Sequence, residues 1–156
     1  MSLVLRNLIF VVLQPGVVAG LVPYLIVRDG FWDGLANGLL FHHYIGVVIF
    51  LVGFCLLLHC VRRFVLEGLG TISPADPTKR LVVSGLYRYS RNPMYVGVMA
   101  MLLGEVVFSQ SAGLLVYAML VFVMFYLFIV YREEPRLARD FGNEYEAYRK
   151  NVRRWL

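Results

Sequence analysis

The chain has 156 residues, 60% of them apolar and only 16% charged, with a net charge of +5 and a mean hydropathy of +0.70. A soluble domain carries about a quarter charged residues, so the composition excludes an ordinary water-facing surface and points to lipid. The basic balance suits a rim beside anionic lipid. Nucleic-acid binding is excluded, because no basic face with a reading element is present.

Four apolar runs follow in chain order: 8–27, 44–65, 94–108 and 112–131. Each approaches the roughly 20 residues needed to cross the hydrocarbon, and the third is the shortest. The first begins after Arg6, but it is too long for a secretory signal and lacks a small-residue cleavage site, so it reads as a retained anchor. Pro15 and Pro23 lie inside it and are expected to bend it. In the second run Cys55 and Cys60 stand five apart, which suits small buried side chains rather than a metal site or a disulfide. His42, His43 and His59 fall in or near the same run. Glu105, in the third, lies close to the far end and reads as reaching the far interface, although a charge inside a span also invites a functional reading.

Charge then sets the orientation. Residues 62–91 hold six basic and two acidic side chains, and 132–154 hold seven and five. The connection 28–33 carries one basic and two acidic residues, and 108–112 carries none. By the Lys/Arg bias both charged segments face the cytoplasm, and four spans place both termini there. The fold expected is an all-α integral membrane protein of one domain, residues 1–156. It has about four transmembrane helices, an ordered polar loop (68–93) before the third, and a cytoplasmic amphipathic C-terminal helix (133–154).

The polar loop ends in GLYRYSRNPMYVG, residues 85–97. Gly68, Gly70, Pro74 and Pro77 break any helix before it. Leu86 to Arg91 can form one helical turn, Asn92 can cap the next helix and Pro93 suits its first position. One reading makes Arg88 and Arg91 topology markers and Tyr87, Tyr89 and Tyr95 interface aromatics. The other takes 83–97 together, from Val83 to Gly97. Backbone amides near two glycines, a helix start and guanidinium groups favour an anion, carboxylate or phosphate.

The last run exits into YREEPRLARDFGNEYEAYRKNVRRWL. Leu137, Phe141, Tyr145, Tyr148, Val152 and Trp155 recur as a single helical stripe, expected on a helix lying along the bilayer or folded over the ends of the spans. Gly142 weakens it locally. Glu133 and Glu134 stand where the fourth run leaves the membrane, able to pair with Arg132, Arg136 or Arg88, or to bind a cationic group such as an ammonium or sulfonium.

Together, GLYRYSRNPMYVG and the downstream EEPRLARDFGNEYEAYRKNVRRW resemble the isoprenylcysteine carboxyl methyltransferase family, which is itself similar to the phospholipid N-methyltransferases. The resemblance covers about 68–155, and the preceding GLGTISPADPTKRLVVSG resembles bacterial members. It implies an integral membrane enzyme of a prokaryotic inner or cell membrane that uses S-adenosylmethionine on the cytosolic side. The family pattern falls on Arg91, Asn92, Pro93, Tyr95 and Gly97, on Glu133 and Glu134, on Phe141, Gly142 and Tyr145, and on Gly85 with Tyr87. With Val83, these imply a cofactor site. Enzymes of isoprenylated cysteine have His where this chain has Asn92, and relatives often have a proline where it has Arg153.

Methyl transfer needs the acceptor held in line with the sulfur–methyl bond and water kept away. A carboxylate acceptor needs only an arginine to place it, which suits Arg91 or Arg132. An amine or thiol must lose a proton, and Glu134 or a tyrosine is then the base. The expected acceptor is lipophilic or lipid-like, entering from the membrane lipids, and phospholipid N-methylation is one alternative. A second is a membrane scaffold or assembly subunit in which Arg91, Glu133 and Glu134 are structural ion pairs. No metal is called for.

Overall fold

A computed structural model describes residues 15–28, 38–67 and 80–155, and among these the chain forms helices and turns without a strand. Helix α1 (Val17–Arg28) opens on a π-helical turn in which Ala19 leaves helical geometry at φ −114 and ψ 29. Pro23 explains this: it has no N–H for the Ala19 carbonyl one turn back, and its ring crowds that oxygen. The bend expected of the two prolines thus falls at Ala19. The part of the first run before residue 15 lies outside the described residues, as do Gly68, Gly70, Pro74 and Pro77.

Helix α2 (Phe41–Glu67) starts three residues before the expected 44. The Leu40 amide donates to His43 Nδ1 at 2.9 Å, which satisfies an amide that the first turn leaves without a helical partner. The His43 ring meets Phe108 edge-on at 4.8 Å, so this histidine is part of the packing. At about 1.5 Å per residue, α2 is roughly 40 Å long.

Helix α3 (Pro93–Ser109) runs antiparallel to α2 at backbone contact. A Cβ on Gly53 would lie 2.6 Å from the Gly97 carbonyl oxygen, and one on Gly46 would lie 2.7 Å from that of Gly104. The two glycines on each helix are seven residues apart, two turns, so they share one face. Small residues of this kind let apolar helices associate where lipid supplies no hydrophobic drive.

Gln110, in the left-handed region at φ 51, ends α3, and Ser111 starts α4 (Ala112–Phe128) by accepting a hydrogen bond from the Leu114 amide at 3.3 Å. This tight hairpin returns the chain to the side where α2 ends. Tyr117 Oη ties α4 to α1 by donating to the Val18 carbonyl at 2.9 Å.

The fourth run and the C-terminal helix, expected as separate pieces 112–131 and 133–154, are continuous. A π-helical turn (Ile129–Glu133) joins α4 to α5 (Glu134–Asn151). The single expected stripe is broken instead at Gly142, where φ 50 and ψ −123 reverse the chain. Without that reversal Arg154 would sit about 30 Å from Glu134; it lies 2.8 Å away. The helix also stops at Asn151 rather than 154, because residues beyond it pair with the loop before α3.

Two helices, containing Phe41–Arg63 and Ala112–Asn151, carry windows long and apolar enough to cross a membrane, and only 22% of each window is buried inside the protein. A core helix of a soluble protein would be mostly buried. Here Leu58, Leu120 and Val123 face outward, as lipid-facing residues do. α1 and α3 are shorter.

Candidate functional site

Three chain segments meet at the end of the bundle where α2 stops, α3 starts and α4 leaves: residues 80–92, the π turn with α5, and residues 152–155. The first carries a 3₁₀ turn (Gly85–Arg88). Its Tyr87 is buried against Cys60 and Val82, and burial pushes its hydroxyl well above the ordinary tyrosine range. The Tyr87 carbonyl accepts from Tyr148 Oη at 2.7 Å, which pins the turn to α5.

The C-terminal segment is stitched alongside. Ser90 and Arg153 form a parallel bridge, with the Arg91 amide donating to the Arg153 carbonyl at 2.8 Å. Fully buried Ser90 donates through Oγ to the Arg154 carbonyl at 3.3 Å and accepts from the Asn92 amide at 3.1 Å. Asn92, expected to cap α3, does not do so with its side chain; its Nδ2 donates to the Arg154 carbonyl at 3.0 Å instead. Pro93 occupies the first turn of α3 as expected.

These backbone ties aim Arg154 at Glu134. Nε donates to Oε1 at 2.8 Å and Nη2 to Oε2 at 3.0 Å, the forked geometry that only arginine offers a carboxylate. The pairing raises the Arg154 pKa further. Arg91 Nη1 reaches the same Oε1 at 3.1 Å and donates to Tyr145 Oη at 3.2 Å. Glu134 is therefore held between two guanidinium groups, leaving the cluster one positive charge in excess.

Glu133 has a different setting. Tyr95 Oη donates to its Oε2 at 2.7 Å, and burial raises the Glu133 carboxyl above the usual carboxylate range, against the lowering by Tyr95 and Arg136. The ring of Tyr95 stands edge-on to Phe125 at 4.9 Å. Along the same side of α4, Arg154 lies 5.7 Å over Tyr126 and Trp155 packs on Phe122 at 5.5 Å.

The structure thus brings together Arg91, Asn92, Tyr95, Glu133, Glu134 and Tyr145, with Tyr87 behind them. It leaves others apart. Arg132 is exposed on the π turn and joins none of these bonds. Val83 is exposed, Gly85 faces His59 and Arg63, and Gly97 is taken up by the crossing with α2. Glu105, near the far end of α3, is half-buried, with Oε2 buried and without a hydrogen-bond partner. Arg154, Ser90 and Tyr126 belong to this cluster although the sequence does not single them out, and Tyr148, read there only as part of the stripe, joins them. Glu134 pairs with Arg91 and Arg154 rather than with Arg132 or Arg88, while Glu133 is bonded to Tyr95 and feels the charge of Arg136.

The donor set fits S-adenosylmethionine. Arg91 Nε and Arg136 Nε are buried without a hydrogen-bond partner, a costly state unless something accepts from them, and the carboxylate end of that molecule can. Glu133 would supply a counter-charge for its ammonium or sulfonium, and the aromatic side of α4 would offer rings for a flat base. No group of His, Cys, Asp and Glu among the described residues could hold a metal ion.

A family model for phospholipid methyltransferases matches residues 41–144, two thirds of the chain. No curated protein and no solved structure matches.

Proposed function

The chain belongs to the phospholipid methyltransferase family, and from that premise we propose that it uses S-adenosylmethionine to methylate a lipophilic acceptor at the cytosolic face of the membrane. The acceptor class favoured is a phospholipid, in line with the family's description, and within that class a lipid amine. In this proposal α1 and α3 span the bilayer with α2 and α4, both termini are cytoplasmic, the membrane is a prokaryotic cell membrane, and the chain is one domain.

The observation that carries the reading is Arg91. It has one guanidinium nitrogen on Glu134 and Tyr145, while its buried Nε has no partner. A fixed arginine with an unfilled inward donor is a preorganised carboxylate clamp. Glu134 positions that arginine, and Arg154 in turn fixes Glu134. The cofactor, when bound, supplies an electrophilic methyl group on a positively charged sulfur.

Each remaining task falls to this chain's residues. Arg91 and Asn92 would hold the cofactor's anionic end beside Pro93, and Glu133, steadied by Tyr95, its cationic part. Tyr145 and the folded-back C-terminal segment would close the site to water, as a displacement at carbon requires. A lipid amine arrives protonated and must lose a proton before it attacks. Glu133 is the base, since a carboxyl held above its usual range is closer to the strength the task needs. Arg132 is not given a role here, because an arginine to place the acceptor is needed only for a carboxylate and the acceptor proposed is an amine.

Transfer of label is the test. Protein in lipid nanodiscs is incubated with methyl-labelled S-adenosylmethionine and membrane lipid extract, and label in the organic phase is counted. The proposal requires label in lipid with wild type and background levels with Arg91→Gln. Label absent from every lipid class with a folded wild type contradicts it.

A further inference from the structure

Two adjoining cavities, lined by neither Arg91 nor Glu134, are ones that the proposed reaction does not use. One, of about 460 Å³, is lined by His59, Arg63, Ser84 and Arg88 among others. The second, of about 490 Å³, runs down α2 along Val48, Leu51, Val52, Cys55 and Leu56. His59 and Leu86 line both, so the basic chamber opens directly into the apolar groove.

Their chemistry divides at His59. The groove's α2 residues recur at steps of three, one, three, one and three, one helix face, and extend from Val48 to His59 over about 16 Å. That is close to one leaflet, half of a hydrocarbon core about 30 Å thick. The chamber above holds two guanidinium groups, an imidazole and the Ser84 hydroxyl, and none of its described lining residues is acidic. Gly85 keeps the chamber open. At φ 59, a Cβ there would lie 3.0 Å from His59 Nε2 and 3.4 Å from Arg63 Nε, so both nitrogens lean over the space that the missing side chain leaves. Tyr89, 70% exposed, stands at the rim, where an aromatic ring with a polar tip sits at headgroup level.

We propose that this chamber and groove form a binding site for one anionic phospholipid, its phosphate on Arg63 and Arg88 and one acyl chain along α2. Among its described lining residues the chamber has no carboxylate to receive an ammonium, which sets it apart from the site that carries Glu133 and Glu134. The lipid bound here is not the methyl acceptor, and the site stands independently of the methyltransferase reading.

Native mass spectrometry of the full chain released from detergent, without S-adenosylmethionine, measures this. Phosphatidylglycerol and phosphatidylcholine of the same chain length are titrated separately, with glycerol 3-phosphate and inorganic phosphate as chainless competitors. Wild type is expected to retain one phosphatidylglycerol in clear preference to phosphatidylcholine. Arg63→Gln and Arg88→Gln are each expected to weaken that retention roughly fivefold, and Cys55→Trp, which fills the groove, to abolish it. The chainless anions are expected to compete only weakly. Arg88 is exposed, so its substitution decides the matter even if Arg63→Gln does not fold. Equal retention of the two lipids, unchanged retention in Arg88→Gln, or full competition by glycerol 3-phosphate or phosphate overturns the proposal.

Discussion

Arg154 and Glu134, twenty positions apart, are joined by two parallel hydrogen bonds of 2.8 and 3.0 Å, and that fork closes the C-terminal segment over the exit of α4. Because Glu134 also holds Arg91, the chain's last residues control the geometry of the clamp. Arg154→Ala is expected to cost about 1.5 kcal/mol, the lower part of the range for hydrogen bonds to a charged group, since its side chain is 31% exposed. It is also expected to weaken S-adenosylmethionine binding about tenfold by loosening Arg91. Arg154→Lys would restore neither, because an ammonium cannot make the fork. Thermal unfolding and cofactor titration in the same detergent check both statements.

Gly142 makes that closure possible. Its φ 50 and ψ −123 lie where a residue with a side chain is strained by roughly 1–3 kcal/mol. Gly142→Ala is therefore expected to favour a straight α5 and carry Arg154 away from Glu134. Spin labels at positions 122 and 153 would report a longer distance than in the otherwise unsubstituted protein, and an unchanged distance would contradict the reversal.

The α2–α3 crossing predicts a contrast between glycines. A Cβ on Gly53 would meet the Gly97 carbonyl oxygen at 2.6 Å and the Met101 amide at 2.6 Å, whereas one on Gly20 meets nothing within 4 Å. Backbone cannot rotate out of the way as a side chain can. Gly53→Ala is expected to lower stability by about 1–3 kcal/mol, and Gly20→Ala to leave it unchanged or slightly raised. Unfolding midpoints of the two variants, measured together, settle the comparison.

Glu133 gives the pH dependence. Burial raises its carboxyl above the ordinary glutamate range, so it takes up a proton at a higher pH than an exposed glutamate does. Its folded-state value is the raised one. Ionised Glu133 therefore costs stability at high pH, and stability is recovered as pH falls through the raised value. Cation binding runs the opposite way, because it needs the carboxylate. S-adenosylmethionine affinity is expected to fall on acidification starting above the usual glutamate range, and Glu133→Gln to give weaker binding without that pH step. Calorimetry across a pH series measures it.

Much of this arrangement is legible in the residues themselves. Arg91, Asn92 and Tyr95 stand at fixed spacing around Pro93, and the adjacent Glu133 and Glu134 mark the end of an apolar run, so a polar cluster at one end of the helices can be read directly. Arg154 cannot be read this way. Its place depends on the Gly142 reversal, and the stripe from Leu137 to Trp155 keeps its spacing across the break, which hides it. Asn92 misleads for a related reason: Asn before Pro signals a cap, but the returning carbonyl of Arg154 competes for its amide. The early start of α2 rests on one His43 hydrogen bond that no periodicity announces.

The most direct test of the central claim is calorimetric titration of S-adenosylmethionine into the purified protein in nanodiscs made from membrane lipid extract, for wild type and Arg91→Gln. Saturable one-site binding by wild type, at least tenfold weaker in a folded Arg91→Gln, is the result predicted. A folded wild type that binds no S-adenosylmethionine with those lipids present, or an Arg91→Gln protein that binds it as well as wild type, would contradict the account.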